Sequence, residues 1–110
     1  MSEYRTILPE EIFSNREIHS YIECGNNCLG AIGFTEHGFA HAKRSSNYAR
    51  DILADLNYPE RMCQLAAIAG YMHDIGNTVN RADHAHSGAL MAFTILNKLK
   101  MPPEEIALIC

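Results

Sequence analysis

The chain has 110 residues, of which 47% are hydrophobic and 20% charged, and this balance fits one globular domain. Its formal net charge of −4 gives no overall positive field that would attract nucleic acid. No segment of the sequence approaches the roughly 20 apolar residues of a membrane span, and the acidic N-terminus is unlike a secretory signal, so neither membrane insertion nor export is expected.

The N-terminal third of the chain is predicted to be helical. Pro9 suits the first turn of a short helix, because proline is favoured there. A longer helix is expected next, since Ser14 and Glu17 have the S-x-x-E spacing of a capping box. Apolar residues then recur every three or four positions as far as Gly33, which suits a helix stop. We interpret residues 1–34 as a helical segment packed on the main domain.

The next predicted helix follows Thr35, whose side chain can cap it. His37 and His41 lie four residues apart on this helix, so their side chains can point to the same side. The inward face is expected to consist of its larger apolar residues. These are Phe39, Tyr48, Ile52, Leu53 and Leu56.

A helix that begins at Pro59 is predicted to be the central one. It carries no charged residue between Leu65 and Met72, and a helix that is apolar on every side is buried in the core. His73 and Asp74 follow at its C-terminal end. The sequence therefore places a polar pair where a buried helix stops.

Two further helices are predicted towards the C-terminus. Asn80 or Asp83 can cap the first of them, and Pro102 and Pro103 end it and begin the last. Its inward residues are expected to be Met91, Ile95, Leu96 and Leu99. The last segment has no stop signal, so we expect that the core, residues 35–110, is truncated at its C-terminus.

No strand pattern was found, and the predicted fold is all-α, a single-domain bundle of about five or six helices around the central one. The four cysteines form no CxxC pair and are expected to be reduced thiols in a cytoplasmic protein, where packing is their main role. They are Cys24, Cys28, Cys63 and Cys110.

Histidines and aspartates are concentrated between residues 70 and 89. His73-Asp74 and Asp83-His84 are adjacent pairs, and His41 lies upstream on another helix. Imidazole nitrogens and carboxylate oxygens are common ligands of divalent ions, and the C-terminal end of a helix favours a nearby cation. Any one of these residues alone is more simply explained as a structural residue, but their combination favours a metal site.

At these positions the chain resembles the HD-domain metal-dependent phosphohydrolases, from about Thr35 to Cys110. The resemblance rests on the strings HAKR, AGYMHDIGN and DHAHSGA. It implies a helical fold that holds one or two divalent ions, with Fe, Mn, Ni, Zn and Mg all compatible with the donors. The implied reaction is hydrolysis of a phosphate ester, such as a nucleotide or a small phosphorylated metabolite. The implied metal ligands are His41, His73, Asp74 and His84.

Two catalytic roles follow from the resemblance. Asp74 would orient the attacking water or accept its proton, besides binding metal. Arg44, three residues after His41, matches a position at which the family often has an arginine, and it would clamp the phosphate; a solvated helix residue is the alternative. His86 is interpreted as a neighbour of His84 that reaches either the substrate or nothing. His37 can join His41 as an outer ligand, but a solvated or supporting role is favoured, and His19 is interpreted as a surface residue.

The sequence departs from the family pattern in two ways. Asn77 stands where the family often has lysine, and no aspartate follows Asp83, although the family closes its site with one. Glu104 and Glu105 are the only later acids, and they are interpreted as surface residues that complement a helix dipole.

Three explanations of the missing aspartate stay open. The rest of the domain can supply the ligand, another subunit can, or the domain is an inactive metal- or nucleotide-binding regulatory module. A purely structural helical module is a more distant alternative. The expected partner is a small-molecule phosphate ester, with no nucleic acid or membrane and with homo-oligomerisation open.

Overall fold

The computed structural model describes residues 3–31, 39–73, 75 and 84–110, and these contain α-helices and no strand. The all-α prediction of about five or six helices is confirmed. Within these ranges, no helix has the length and apolar character that crossing a bilayer requires. The helices are α1 (Pro9–Phe13), α2 (Arg16–Ala31), α3 (Phe39–Asp55), α4 (Glu60–Met72), α5 (His84–Lys98) and α6 (Pro103–Ile109).

Helix α4 lies at the centre of the fold, as its uncharged sequence predicts. It packs most extensively against α3 and also contacts α1 and α6. Its buried side chains are Cys63, Leu65, Ala67, Ile68, Tyr71 and Met72. The removal of this apolar surface from water is the main force that brings the other helices to α4.

Helices α3 and α4 form an antiparallel hairpin with a short connection, residues 56–59. Asn57 has a φ of 66°, a left-handed conformation that asparagine adopts more readily than most residues. The Tyr58 backbone N–H donates to the Leu53 carbonyl at 3.0 Å, which closes the end of α3. Pro59 then precedes the first turn of α4. The tight turn fixes which faces of the two helices meet.

The predicted inward face of α3 is correct for Phe39, which packs against the core, but wrong for three of its five residues. Tyr48, Ile52 and Leu56 are 66%, 58% and 63% exposed. The residues buried against α4 are instead small, Ala42 and Ser46. The two backbones approach closely along this face, and large side chains would not fit between them. The size of the side chains between the two helices therefore decides which face of α3 is inward. A prediction from apolar periodicity does not take this size into account.

The predicted capping residue of α2, Ser14, is also wrong, and the residue that caps the helix is the next one along the chain. Asn15 performs the capping, because its Oδ1 accepts the Ile18 backbone N–H at 3.0 Å. Ser14 belongs to the end of α1, where its Oγ donates to the Glu10 carbonyl at 3.0 Å. Since one-turn α1 uses Ser14 as its C-cap, α2 starts one residue later than the S-x-x-E spacing indicates.

An ion pair links α2 to α5, and the apolar residues of α5 belong to the common core. On α5, Ile95 and Leu96 are buried and Met91 and Leu99 are partly buried against the core, as predicted. Lys98 Nζ donates to both carboxylate oxygens of Glu17, at 2.8 and 2.9 Å. This hydrogen bond holds the pKa of Glu17 below its usual value.

Candidate metal centre

Two of the predicted metal ligands lie side by side at one end of the α3–α4 hairpin. His41 is half-buried in the first turns of α3, and His73 is the exposed residue directly after α4. Their ring centroids are 5.2 Å apart, and the ring planes are tilted by 53°. The antiparallel hairpin thus brings together imidazoles that are 32 positions apart in sequence.

The position of His73 follows from how α4 ends. The ring Nδ1 lies 2.7 Å from the Gly70 carbonyl oxygen, one of the last carbonyls of the helix. A carbonyl oxygen only accepts hydrogen bonds, so in the neutral ring Nδ1 carries the proton and Nε2 carries the lone pair. A histidine that ligates a metal commonly donates its other ring N–H to a carbonyl in this way.

The residues that would complete the site lie largely outside the described part of the chain. Asp74 is one of them, and His37 and Asn77 also lie outside the described residues. The backbone of His84 and His86 belongs to the first turn of α5, but their side chains are not described. Among the described residues, no three histidine, cysteine or acidic side chains form a group that could hold a metal ion. The four-ligand set therefore stays a prediction.

Arg44 is exposed on α3, about one turn from His41 and therefore on a similar side of the helix. Its role as a phosphate clamp stays a prediction. His19 is 53% exposed in its side chain, as expected of a surface residue, and its ring stacks on Phe39 with a centroid distance of 4.1 Å.

Glu105 is not the surface residue that its place in the first turn of α6 suggested. Its carboxylate accepts two hydrogen bonds from Arg61, at 2.7 and 2.8 Å, and both side chains are mostly buried. Arg61 also donates to the Ile7 carbonyl, so it joins α4, α6 and the N-terminal segment. It lies in the first turn of α4, whereas His73 follows the last. Glu105 is therefore held at the opposite end of α4 from the imidazole pair.

The Arg61 hydrogen bonds hold the pKa of Glu105 below its usual value of 4.5. The ion pair therefore stabilises the fold above pH 4.5, and this contribution is lost as the pH falls below 4.5 through the lowered value. We expect Glu105→Gln to lower the free energy of unfolding by about 1–2 kcal/mol at neutral pH, and by much less at about pH 3. Urea unfolding at both pH values measures this, with exposed Glu104→Gln as the control; an equal loss at both would contradict it.

A cavity of about 290 Å³ opens beside His73. Its walls come mainly from small or apolar residues of α4 and α5, and Cys110 lines it from the end of α6. Burial raises the pKa of the Cys110 thiol, so it stays protonated at neutral pH. The cavity therefore presents a neutral wall next to one ring of the pair. Its lining from α4 and α5 includes Ala69, Met72, Gly88, Ala89 and Ala92.

Comparison with known proteins identifies the family. The family model described as "HD domain" matches residues 38–110, two-thirds of the chain. The chain belongs to the HD domain family. HD domains are all-α and form a superfamily of metal-dependent phosphohydrolases. The match starts three residues before His41 and includes every residue that was assigned to the metal site.

One curated relative is similar to this HD domain, the "Uncharacterized protein MJ1020" of Methanocaldococcus jannaschii. The two are 28% identical over 107 aligned residues, which cover 83% of this chain. The alignment spans 41% of the relative, so this HD domain corresponds to less than half of that protein. No solved structure matches the chain.

Proposed function

We propose that this HD domain binds a divalent metal ion through His41, His73, Asp74 and His84 and hydrolyses a phosphate ester. The observation that supports this most is the 5.2 Å approach of the His41 and His73 rings, with the Nδ1 of His73 already held by a carbonyl. Such a ring presents the lone pair of Nε2 as a ligand. The substrate is proposed to be a nucleotide or a small phosphorylated metabolite, and the site of action the cytoplasm.

The chain's own residues would divide the work of hydrolysis. A bound ion would lower the pKa of water and offset phosphoryl charge. Asp74 would orient the attacking water and accept its proton, and a guanidinium such as that of Arg44 would hold two phosphate oxygens at once.

Metal content and turnover on the purified chain test this proposal. We expect about one or two divalent ions per chain and metal-dependent release of phosphate or nucleoside from a panel of phosphomonoesters, phosphodiesters and nucleotides. Anomalous scattering from crystals would identify the element and the side chains that touch it. A chain that binds no divalent ion after reconstitution with Mn, Fe, Ni, Zn or Mg would refute the proposal.

A regulatory domain that binds metal or nucleotide without turnover is the second candidate. One observation favours it: Arg61 binds Glu105, the mostly buried acid of α6, at the opposite end of α4 from His73. The family closes its site with a later aspartate. Among the described residues, no acidic side chain lies with the two imidazoles to take its place. Stoichiometric metal together with no turnover across the panel, measured on the complete gene product, would select this alternative.

A further inference from the structure

Gly70 occupies a position in α4 where its lack of a side chain determines how close α3 can come. Its backbone is helical, and glycine within a helix is unfavourable relative to alanine, so the position needs another explanation. A Cβ placed on Gly70 would lie 2.7 Å from the Ser45 carbonyl oxygen and 3.1 Å from the Ser46 Cα. Both are backbone atoms, which cannot rotate away. Any larger residue would therefore push the two helices apart.

This contact lies one helical turn from the imidazole pair. Ser45 follows His41 by four residues on α3, and Gly70 precedes His73 by three residues on α4. Because the helices are antiparallel, both intervals run along the interface in the same direction, over about 5 Å. The distance between the two backbones at Gly70 therefore determines the distance between the two rings one turn away.

Gly70 also acts on His73 through its carbonyl, which accepts the Nδ1 proton at 2.7 Å. One residue thus sets both the distance between the helices and the orientation of one ring. We propose that Gly70 is the positioning residue of the His41–His73 pair: its missing side chain brings the rings together, and its carbonyl orients His73 so that Nε2 faces a shared ligand. The role of that ligand rests on the proposed function.

The test is Gly70→Ala. Restoring ordinary contact requires the added methyl to move from 2.7 to at least 3.4 Å from the Ser45 oxygen. Metal–ligand bonds tolerate errors of only about 0.2 Å, so we expect the affinity for Mn²⁺ or Zn²⁺ to fall about 10- to 100-fold. Independently of metal, histidine ¹⁵N shifts and ring-to-ring NOEs of the wild-type chain should show His73 protonated on Nδ1 and close to His41. In the variant the NOEs should weaken.

Two control variants separate positioning from loss of stability. Ala67→Gly destabilises the buried face of α4 without adding an atom at the α3 contact. Ser46→Ala removes a fully buried hydroxyl that has no hydrogen-bond partner among the described residues. Both are expected to keep the wild-type affinity and the ring NOEs.

Each outcome decides the proposal. Unchanged affinity and NOEs in Gly70→Ala would overturn it, as would an equal loss in Ala67→Gly, or protonation on Nε2 of His73 in the wild-type chain. The last measurement stands even if Gly70→Ala does not fold. A wild-type chain that binds no divalent ion would refute the proposed function, whereas the NOEs and the protonated nitrogen would still decide the role of Gly70.

Discussion

His73→Ala is expected to abolish stoichiometric binding of a divalent ion and to lower kcat/KM for phosphate-ester hydrolysis by about 100-fold or more. Loss of a residue that merely supports a ligand reduces affinity about 10- to 100-fold, so loss of a ligand itself should cost at least as much. Because His73 is exposed, the free energy of unfolding should change by less than about 0.5 kcal/mol. Metal analysis, steady-state kinetics and urea unfolding measure the three quantities.

His19→Ala is the matched control, since it removes another exposed imidazole, one on α2 that was not assigned to the metal site. It should leave metal content and kcat/KM unchanged. His41→Ala should reproduce the loss in His73→Ala, and the double variant should lose little more than either single variant, because both side chains serve one ion. Full retention of metal and turnover in His73→Ala would place the active site elsewhere.

Ile68→Ala is expected to be among the most destabilising single substitutions in this chain. Ile68 is 0% exposed at the centre of α4, so truncation removes buried methyl groups and leaves a cavity. Such changes reduce stability by about 2–5 kcal/mol, a large share of the roughly 5–15 kcal/mol that stabilises a domain. Urea or thermal unfolding, followed by circular dichroism, measures the change.

Ile52→Ala provides the same chemical change at an exposed site. Ile52 is 58% exposed on α3, and alanine is the better helix former, so stability should be unchanged or slightly higher. This pair of variants also tests which face of α3 is inward. If Ile52→Ala destabilised the chain as much as Ile68→Ala, the orientation of α3 described above would be wrong.

The sequence alone determined the fold class and the identity of the central helix. A run without charge from Leu65 to Met72 can only be stable where water is excluded, whichever helices surround it. The helical periodicity of apolar residues on α5 likewise predicted that Ile95 and Leu96 lie in the core. These are properties of one segment and its solvent, so local periodicity is sufficient to predict them.

Features that depend on the contact between two segments could not be predicted from the sequence of either segment alone. The fully buried residues of α3 are small because α4 approaches closely, and no periodicity in α3 alone contains that distance. Glu105 looked like a dipole-complementing surface residue, whereas its partner Arg61 is 44 positions away. Gly70 did leave a signal, since glycine within a helix costs about 1 kcal/mol relative to alanine, but the reason lies on the neighbouring helix.

The candidate site shows the same division. The sequence supplied the donor types and a family pattern, and the histidines at positions 41 and 73 were named from it. Only the tertiary structure gave their ring separation of 5.2 Å and the carbonyl that orients His73. Residue identity fixes what a side chain can bind, but the distance between two side chains on different helices is set by how closely those helices pack, and here that is decided at Gly70.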